Sequence, residues 1–156
     1  MRAFTLSLLL CASLAPLAAK APAKVALKAG PFDPARDSFK DLELAKAEAR
    51  KSGRRIILDV GGNWCSWCHL LHGFWEAQKD VKELRDKHFV FVLVNFSKEA
   101  KNEKFLAQFP KVPGYPHLFV LDADGKLLHS QDTGVLEEGE GYSREKVLAF
   151  LNAWKA

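Results

Sequence analysis

The chain has 156 residues, of which 48% are hydrophobic and 27% charged, and it carries a net charge of +4. That length suits one domain with a real core and is short for two. The excess positive charge is spread without a dense basic run, which argues against a nucleic-acid partner.

Residues 1–19, MRAFTLSLLLCASLAPLAA, place Arg2 ahead of an apolar run from Ala3 to Leu17 and end in small residues, the build of a secretory signal peptide. The apolar run is too short to stay in a bilayer as a span. Cleavage fits best after Ala19. Cys11 is not read as a lipidation site, because Leu10 rather than a small residue precedes it. Removing residues 1–19 takes away one cation, leaving +3, and leaves Cys65 and Cys68 as the only cysteines. An exported chain in an oxidising compartment normally uses cysteines as staples. One closely spaced pair reads instead as a working part.

Residues 20–36, rich in Ala, Lys and Pro, read as a flexible arm, and residues 37–156 as the folded domain. Asp37 or Ser38 can cap a helix whose apolar positions Phe39, Leu42, Ala45 and Ala49 recur at threes and fours, with Gly53 as its stop. RIILDV, Arg55 to Val60, is a buried strand ending at Gly61 and Gly62. The cysteine motif opens a second helix running to about Lys79. Asp80 and Glu83 make a capping-box-like start for another helical piece.

FVFVLVNF, Phe89 to Phe96, has the composition of a central strand. It contains a glycosylation-type triplet, Asn95-Phe96-Ser97, which its place at a strand end marks as structural. Phe105, Leu106 and Phe109 suggest a helix. His117 to Asp122 and Lys126 to Ser130 flank Asp124-Gly125 as a hairpin. Ser143 caps a last helix with Val147, Phe150, Leu151 and Trp154 on one face. This order predicts one mixed α/β sheet of four to five strands with helices on both faces, the first two strands parallel and the last two antiparallel.

GGNWCSWCHLLHGFW, Gly61 to Trp75, admits three chemistries. As a dithiol, C-x-x-C at a helix start brings both sulfurs within disulfide reach. Cys65 at the helix N-terminus is favoured as thiolate and attacks, and Cys68, one turn in, resolves. As a haem site, C-x-x-C-H would use His69 as proximal ligand, but the only methionine is Met1 and a buried strand runs straight into the motif. As a metal site of zinc or copper type, Cys65, Cys68, His69 and His72 fall on one helix stripe. Four side chains of one straight helix do not readily enclose an ion tetrahedrally. The competing function class is a non-catalytic module that binds a partner or a metal through this stripe.

LDVGGNWCSWC resembles the active-site strand and turn of the thioredoxin superfamily, and FPKVPGYPHLFVLDADGK resembles the family segment carrying the cis-proline that faces the dithiol. The resemblance covers roughly residues 39–154. Within the superfamily, W-C-x-W-C-H is similar to exported bacterial thioredoxin-like reductases of the DsbH type. It implies a thioredoxin fold, a thiol-disulfide oxidoreductase without cofactor or resident metal, and protein thiols and disulfides as substrates. It also implies a buried Asp59 that relays the proton of Cys68, and a cis Pro116 after Tyr115 whose backbone pairs with substrate. Gly73 stands where the family's active-site helix often has a kinking proline. A lysine often found on the next strand has no counterpart near Leu93.

A buried aspartate is costly as an anion, so its neutral form is favoured. The simpler alternative is that Asp59 hydrogen-bonds the Gly61-Gly62 turn. Trp64 and Trp67 flank the dithiol and offer apolar contact to a flexible substrate chain, whereas Trp75 reads as core. His69 and His72 read as exposed helix residues, with His69 able to favour a thiolate when protonated. The expected protein is a periplasmic monomer and more a reductase than an oxidant. A membrane redox partner is implied, an electron donor if the protein reduces and a quinone-linked oxidant if it oxidises.

Overall fold

The computed structural model describes residues 30–156. The expected signal peptide, and residues 20–29 of the expected arm, lie outside the described residues. The first helix, α1 (Ser38–Ser52), starts where the Asp37 carboxylate accepts the N–H groups of Phe39 and Lys40. It ends at Gly53, which takes the left-handed conformation (φ 73°) and donates its N–H to Ala49. Leu42, Ala45 and Ala49 face the core. Phe39 does not share that face as expected: it is 49% exposed and meets Phe105 edge-on, with ring centroids 5.2 Å apart.

Strand β1 (Arg55–Gly61) is the centre of the sheet. It pairs in parallel with β2 (Phe89–Asn95) and antiparallel with β3 (His117–Leu121), which pairs antiparallel with β4 (Leu127–Asp132). The sheet therefore has four strands in the order β2-β1-β3-β4. The expected central strand, β2, is an edge strand. Its run is apolar because both faces are covered: Val92 and Val94 pack under α1, and Phe89 joins the opposite cluster.

The parallel crossover from β1 to β2 consists of α2 (Ser66–Ala77) and α3 (Lys79–His88), separated by an extended Gln78. Asp80 does not cap α3. It lies inside the first turn and pairs with Arg144 of α5 (Arg144–Trp154), while Gln78 holds the cap position without a side-chain bond. Ser143 likewise holds the N-cap position of α5 without a side-chain bond. The helix expected around Phe105 is a single turn, α4 (Glu103–Leu106). Sequence reasoning missed a 3-10 turn at Thr133–Leu136 and a two-stranded ribbon of β5 (Glu137–Glu138) and β6 (Gly141–Tyr142).

Because strand side chains alternate, the sheet carries two cores. Ile56, Leu58 and Val60 pack with Phe119 and Leu121 under α1 and α4. Ile57 packs with Leu118, Val120, Leu71, Trp75, Val81, Val147 and Leu151 under α2, α3 and α5. Trp75 is fully buried, as its position predicts. No helix among the described residues is long and apolar enough to cross a membrane.

Candidate active site

Strand β1 runs out at Gly61, and the chain turns through Gly62 and Asn63 into α2. Cys65 is the N-cap of that helix, and the Cys68 backbone N–H points at its sulfur at 3.1 Å. Unpaired N–H groups at a helix start favour negative charge, so a thiolate is favoured at Cys65. The two cysteines are joined as a disulfide with α-carbons 5.2 Å apart, ordinary for such a bond. Cys65 is 6% exposed and Cys68 1%, so both cysteines are buried, the second more completely than the first.

The Tyr115-Pro116 peptide bond is cis, and the Tyr115 carbonyl lies 3.6 Å from the Cys65 sulfur. Buried Thr133 fixes this loop by donating its hydroxyl to the Pro116 carbonyl at 2.7 Å. Tyr115 stacks on Phe96, with centroids 4.7 Å apart, and meets Trp64 edge-on at 5.7 Å. Trp64 is 53% exposed and donates its indole N–H to the Phe96 carbonyl at 2.6 Å. Trp64, Phe96 and Lys98 line a groove of about 430 Å³. The two tryptophans part company here: Trp67 is half-buried and edge-on to Tyr142 at 5.7 Å.

Asp59 is buried, and side-chain alternation puts it on the same face of β1 as Gly61, against which the Cys68 sulfur packs. Its cross-strand neighbour is Leu93, so the position where a lysine was expected to be missing is apolar. Burial pushes the Asp59 carboxyl up to about 7, opposed by the Trp75 indole N–H and by the field of Arg85. Asp59 Oδ1 and Trp75 Nε1 nevertheless each lack a partner at hydrogen-bonding geometry. Burial is the larger influence, and the carboxyl stays poised between its two forms near neutral pH. The alternative, in which Asp59 bonds the Gly61-Gly62 turn, finds no support in its unpartnered oxygen.

The histidines are not exposed as expected. Both are half-buried; His69 Nε2 lies 2.9 Å from the Asn63 carbonyl, and His72 Nδ1 is buried without a partner. Among the described residues no three His, Cys, Asp or Glu side chains converge as metal ligands. Asn95 is buried and bonds Ser97 and Ala100, the structural part expected of it. The site also recruits residues that sequence reasoning missed. Arg85 is buried with its guanidinium 4.8 Å from the Phe91 ring centroid, Tyr142 has a buried hydroxyl, and Phe32 packs against both cysteines. The fall of Phe32 in an otherwise Ala, Lys and Pro-rich stretch was the one available signal.

A four-stranded mixed sheet with helices on both faces, a disulfide at the N-cap of the helix that follows the central strand, and a cis-proline facing it define a thioredoxin-fold protein. Residues 37–123 match the Thioredoxin-like family, and the chain belongs to it. The disulfide bond reductase DsbH of Chlamydia pneumoniae is 31% identical over 77 residues, 44% of this chain and 46% of that protein. The chain thus spans less than half the length of this curated relative. Among solved structures, a disulphide isomerase from Xylella fastidiosa Temecula1 superposes with a TM-score of 0.69 at 23% identity, covering 79% of this chain and 95% of that one. A DsbH oxidoreductase superposes at 0.52 with 25% identity, covering 70% and 78%.

Proposed function

We propose that this chain is a periplasmic thiol-disulfide oxidoreductase that reduces disulfides of protein substrates. The observation that carries the reading is the Cys65–Cys68 disulfide at a helix N-cap, with the Tyr115 carbonyl 3.6 Å from its outer sulfur. The direction is supported by the relative from Chlamydia pneumoniae, which is a disulfide bond reductase. Export is supported by the signal-like residues 1–19 and by a dithiol that is the sole cysteine pair beyond them.

In the reduced protein, the Cys65 thiolate attacks one sulfur of a substrate disulfide. A new S–S bond forms to that sulfur, and the other leaves as a thiolate that takes a proton from water. The Cys68 thiol gives its proton to the Asp59 carboxylate and attacks the Cys65 sulfur. The internal disulfide forms and the second substrate sulfur departs as a thiolate, so two electrons have passed to the substrate. A dithiol donor, in our reading membrane-bound, must return two electrons before the next turn. Trp64, Trp67, Tyr115 and Pro116 supply the apolar surface and backbone against which an extended substrate segment lies.

The test is insulin reduction by the reduced protein, with Cys65→Ser and Cys68→Ser beside it. Cys65→Ser is expected to abolish turnover, and Cys68→Ser to stop at a mixed disulfide. An active Cys65→Ser variant overturns the reading. Equilibration in glutathione or dithiothreitol buffers, followed by tryptophan fluorescence, tests the direction: a potential near about −270 mV agrees with a reductase and one near about −120 mV reverses it. Tightly retained metal with no reductase activity would replace the enzyme with a binding module.

A further inference from the structure

Phe32, Asn63 and His69 have no part in the exchange steps above, and they belong to one assembly. Phe32, from the segment ahead of α1, is 2% exposed and packs with Cys65 and Cys68, flanked by Leu93 and Tyr115. Its backbone is held by a single side chain 31 residues away. Asn63 Oδ1 accepts the Phe32 N–H at 3.1 Å, and Asn63 Nδ2 donates to the Phe32 carbonyl at 2.6 Å. The Asn63 carbonyl in turn lies 2.9 Å from Nε2 of His69, the histidine that closes the C-x-x-C-H motif. Gly30 belongs to the same contact, since a Cβ there would overlap both Asn63 and His69.

We propose that residues 30–32 form a latch over the dithiol, with Phe32 as a positioning residue that keeps the Cys68 sulfur out of water and Asn63 and His69 as its seat. The geometry of the cover is specific. A Cβ built on Gly61 would lie 2.7 Å from Cys68 Sγ and 2.9 Å from Phe32 Cζ, so sulfur and ring tip share the same small surface of β1. An apolar wall on this side leaves Cys68 a neutral thiol without solvent access, whereas Cys65 keeps the N–H groups of the helix start. Attack on external sulfur then falls to Cys65 alone, and the proton of Cys68 leaves inward rather than to bulk water. Both backbone groups of Phe32 are satisfied by one amide, which lets this short segment be buried without a strand partner. The motif histidine acquires a role that needs neither haem nor metal.

The consequence for catalysis rests on the thiol-disulfide reading, but the primary test does not. In the full chain carrying Cys65→Ser, reduced and exposed to iodoacetamide, alkylation of Cys68 is followed by peptide mass spectrometry. Phe32→Ala is expected to accelerate it by roughly tenfold or more, since local opening governs access to a buried thiol. Asn63→Ala, which cuts the clamp and leaves the ring in place, is expected to act in the same direction and carries the test if Phe32→Ala fails to fold. Phe32→Leu, which keeps an apolar cover, is expected to stay near the parent rate. The accelerated rates should be nearly independent of urea below the unfolding transition. Unchanged alkylation in both open variants, or acceleration that tracks urea with the slope of global unfolding, overturns the latch. Failure of the wild type to reduce insulin would instead overturn the oxidoreductase reading and leave the alkylation result standing.

Discussion

Gly61 touches Cys68 as only a glycine can: a Cβ on its α-carbon would fall 2.7 Å from the sulfur, closer than real Cβ contacts come. Gly61→Ala must therefore displace the sulfur or the Phe32 ring. Overpacking of this kind costs about 1–3 kcal/mol, to be read as a lowered urea midpoint. Gly73, in the same helix as Cys68, has nothing within 4 Å of the equivalent position. Gly73→Ala is expected to be neutral or to stabilise by up to about 1 kcal/mol, through helix propensity alone. Equal losses in the two variants would contradict the close contact at Gly61.

The raised Asp59 carboxyl makes stability depend on pH, with a definite sign. Its ordinary value is 3.8 and burial raises it to about 7. Between those two values the unfolded chain has lost the proton and the folded chain keeps it, so stability falls as pH rises. Above about pH 7 both states are ionised and the loss is complete, of the order of 4 kcal/mol. Asp59→Asn lacks this dependence. Urea unfolding at pH 4 and pH 8 should show the wild type losing more stability than Asp59→Asn over the interval, and parallel losses would contradict the shift.

Arg85, on α3, is a cation whose field reaches Asp59. It is 5% exposed, lies 5.8 Å from the Trp75 ring centroid, and is held by Glu76 at 3.2 Å and Asp86 at 2.7 Å. Its field opposes the upward push of burial on Asp59. Arg85→Met, of similar length and without charge, should move the Asp59 titration to still higher pH. A carbon-13 NMR titration of the folded protein reads this directly. A midpoint that stays put or falls would remove Arg85 from the site.

Thr133 is a second remote support, because its hydroxyl is the buried donor to the Pro116 carbonyl. Thr133→Val keeps the shape and leaves that carbonyl without its donor, which costs about 1–3 kcal/mol. The loop facing Cys65 loses its tie, so the KM for insulin should rise more than kcat falls. A change in kcat alone would place Thr133 outside substrate positioning.

What was legible in the chain was local chemistry. The cap at Asp37 and stop at Gly53, the strand that runs into Gly61, the dithiol at a helix start and the Asp124-Gly125 hairpin each depend on neighbours within a few residues, and each is found in the structure. Where local reasoning failed, a distant element had intervened. Asp80 has the spacing of a cap, but Arg144 on α5 draws it into an ion pair. Phe39 has the period of a core residue, yet it is 49% exposed and meets Phe105 edge-on.

The sequence by itself determined the chemistry available: two cysteines one helical turn apart, an aspartate in an apolar strand, and a proline after Tyr115. Only the tertiary structure decided the setting of that chemistry. β2 is apolar on both faces whether it is central or at an edge, because helices cover the sheet on both sides, and its place depends on where the crossover deposits it. The closing of Phe32 over Cys68 depends on an amide 31 residues away, and the tie from Thr133 to Pro116 spans 17 residues. Such contacts leave no periodic trace in the chain, since they are set by how the packed helices and loops bring distant backbone together around β1.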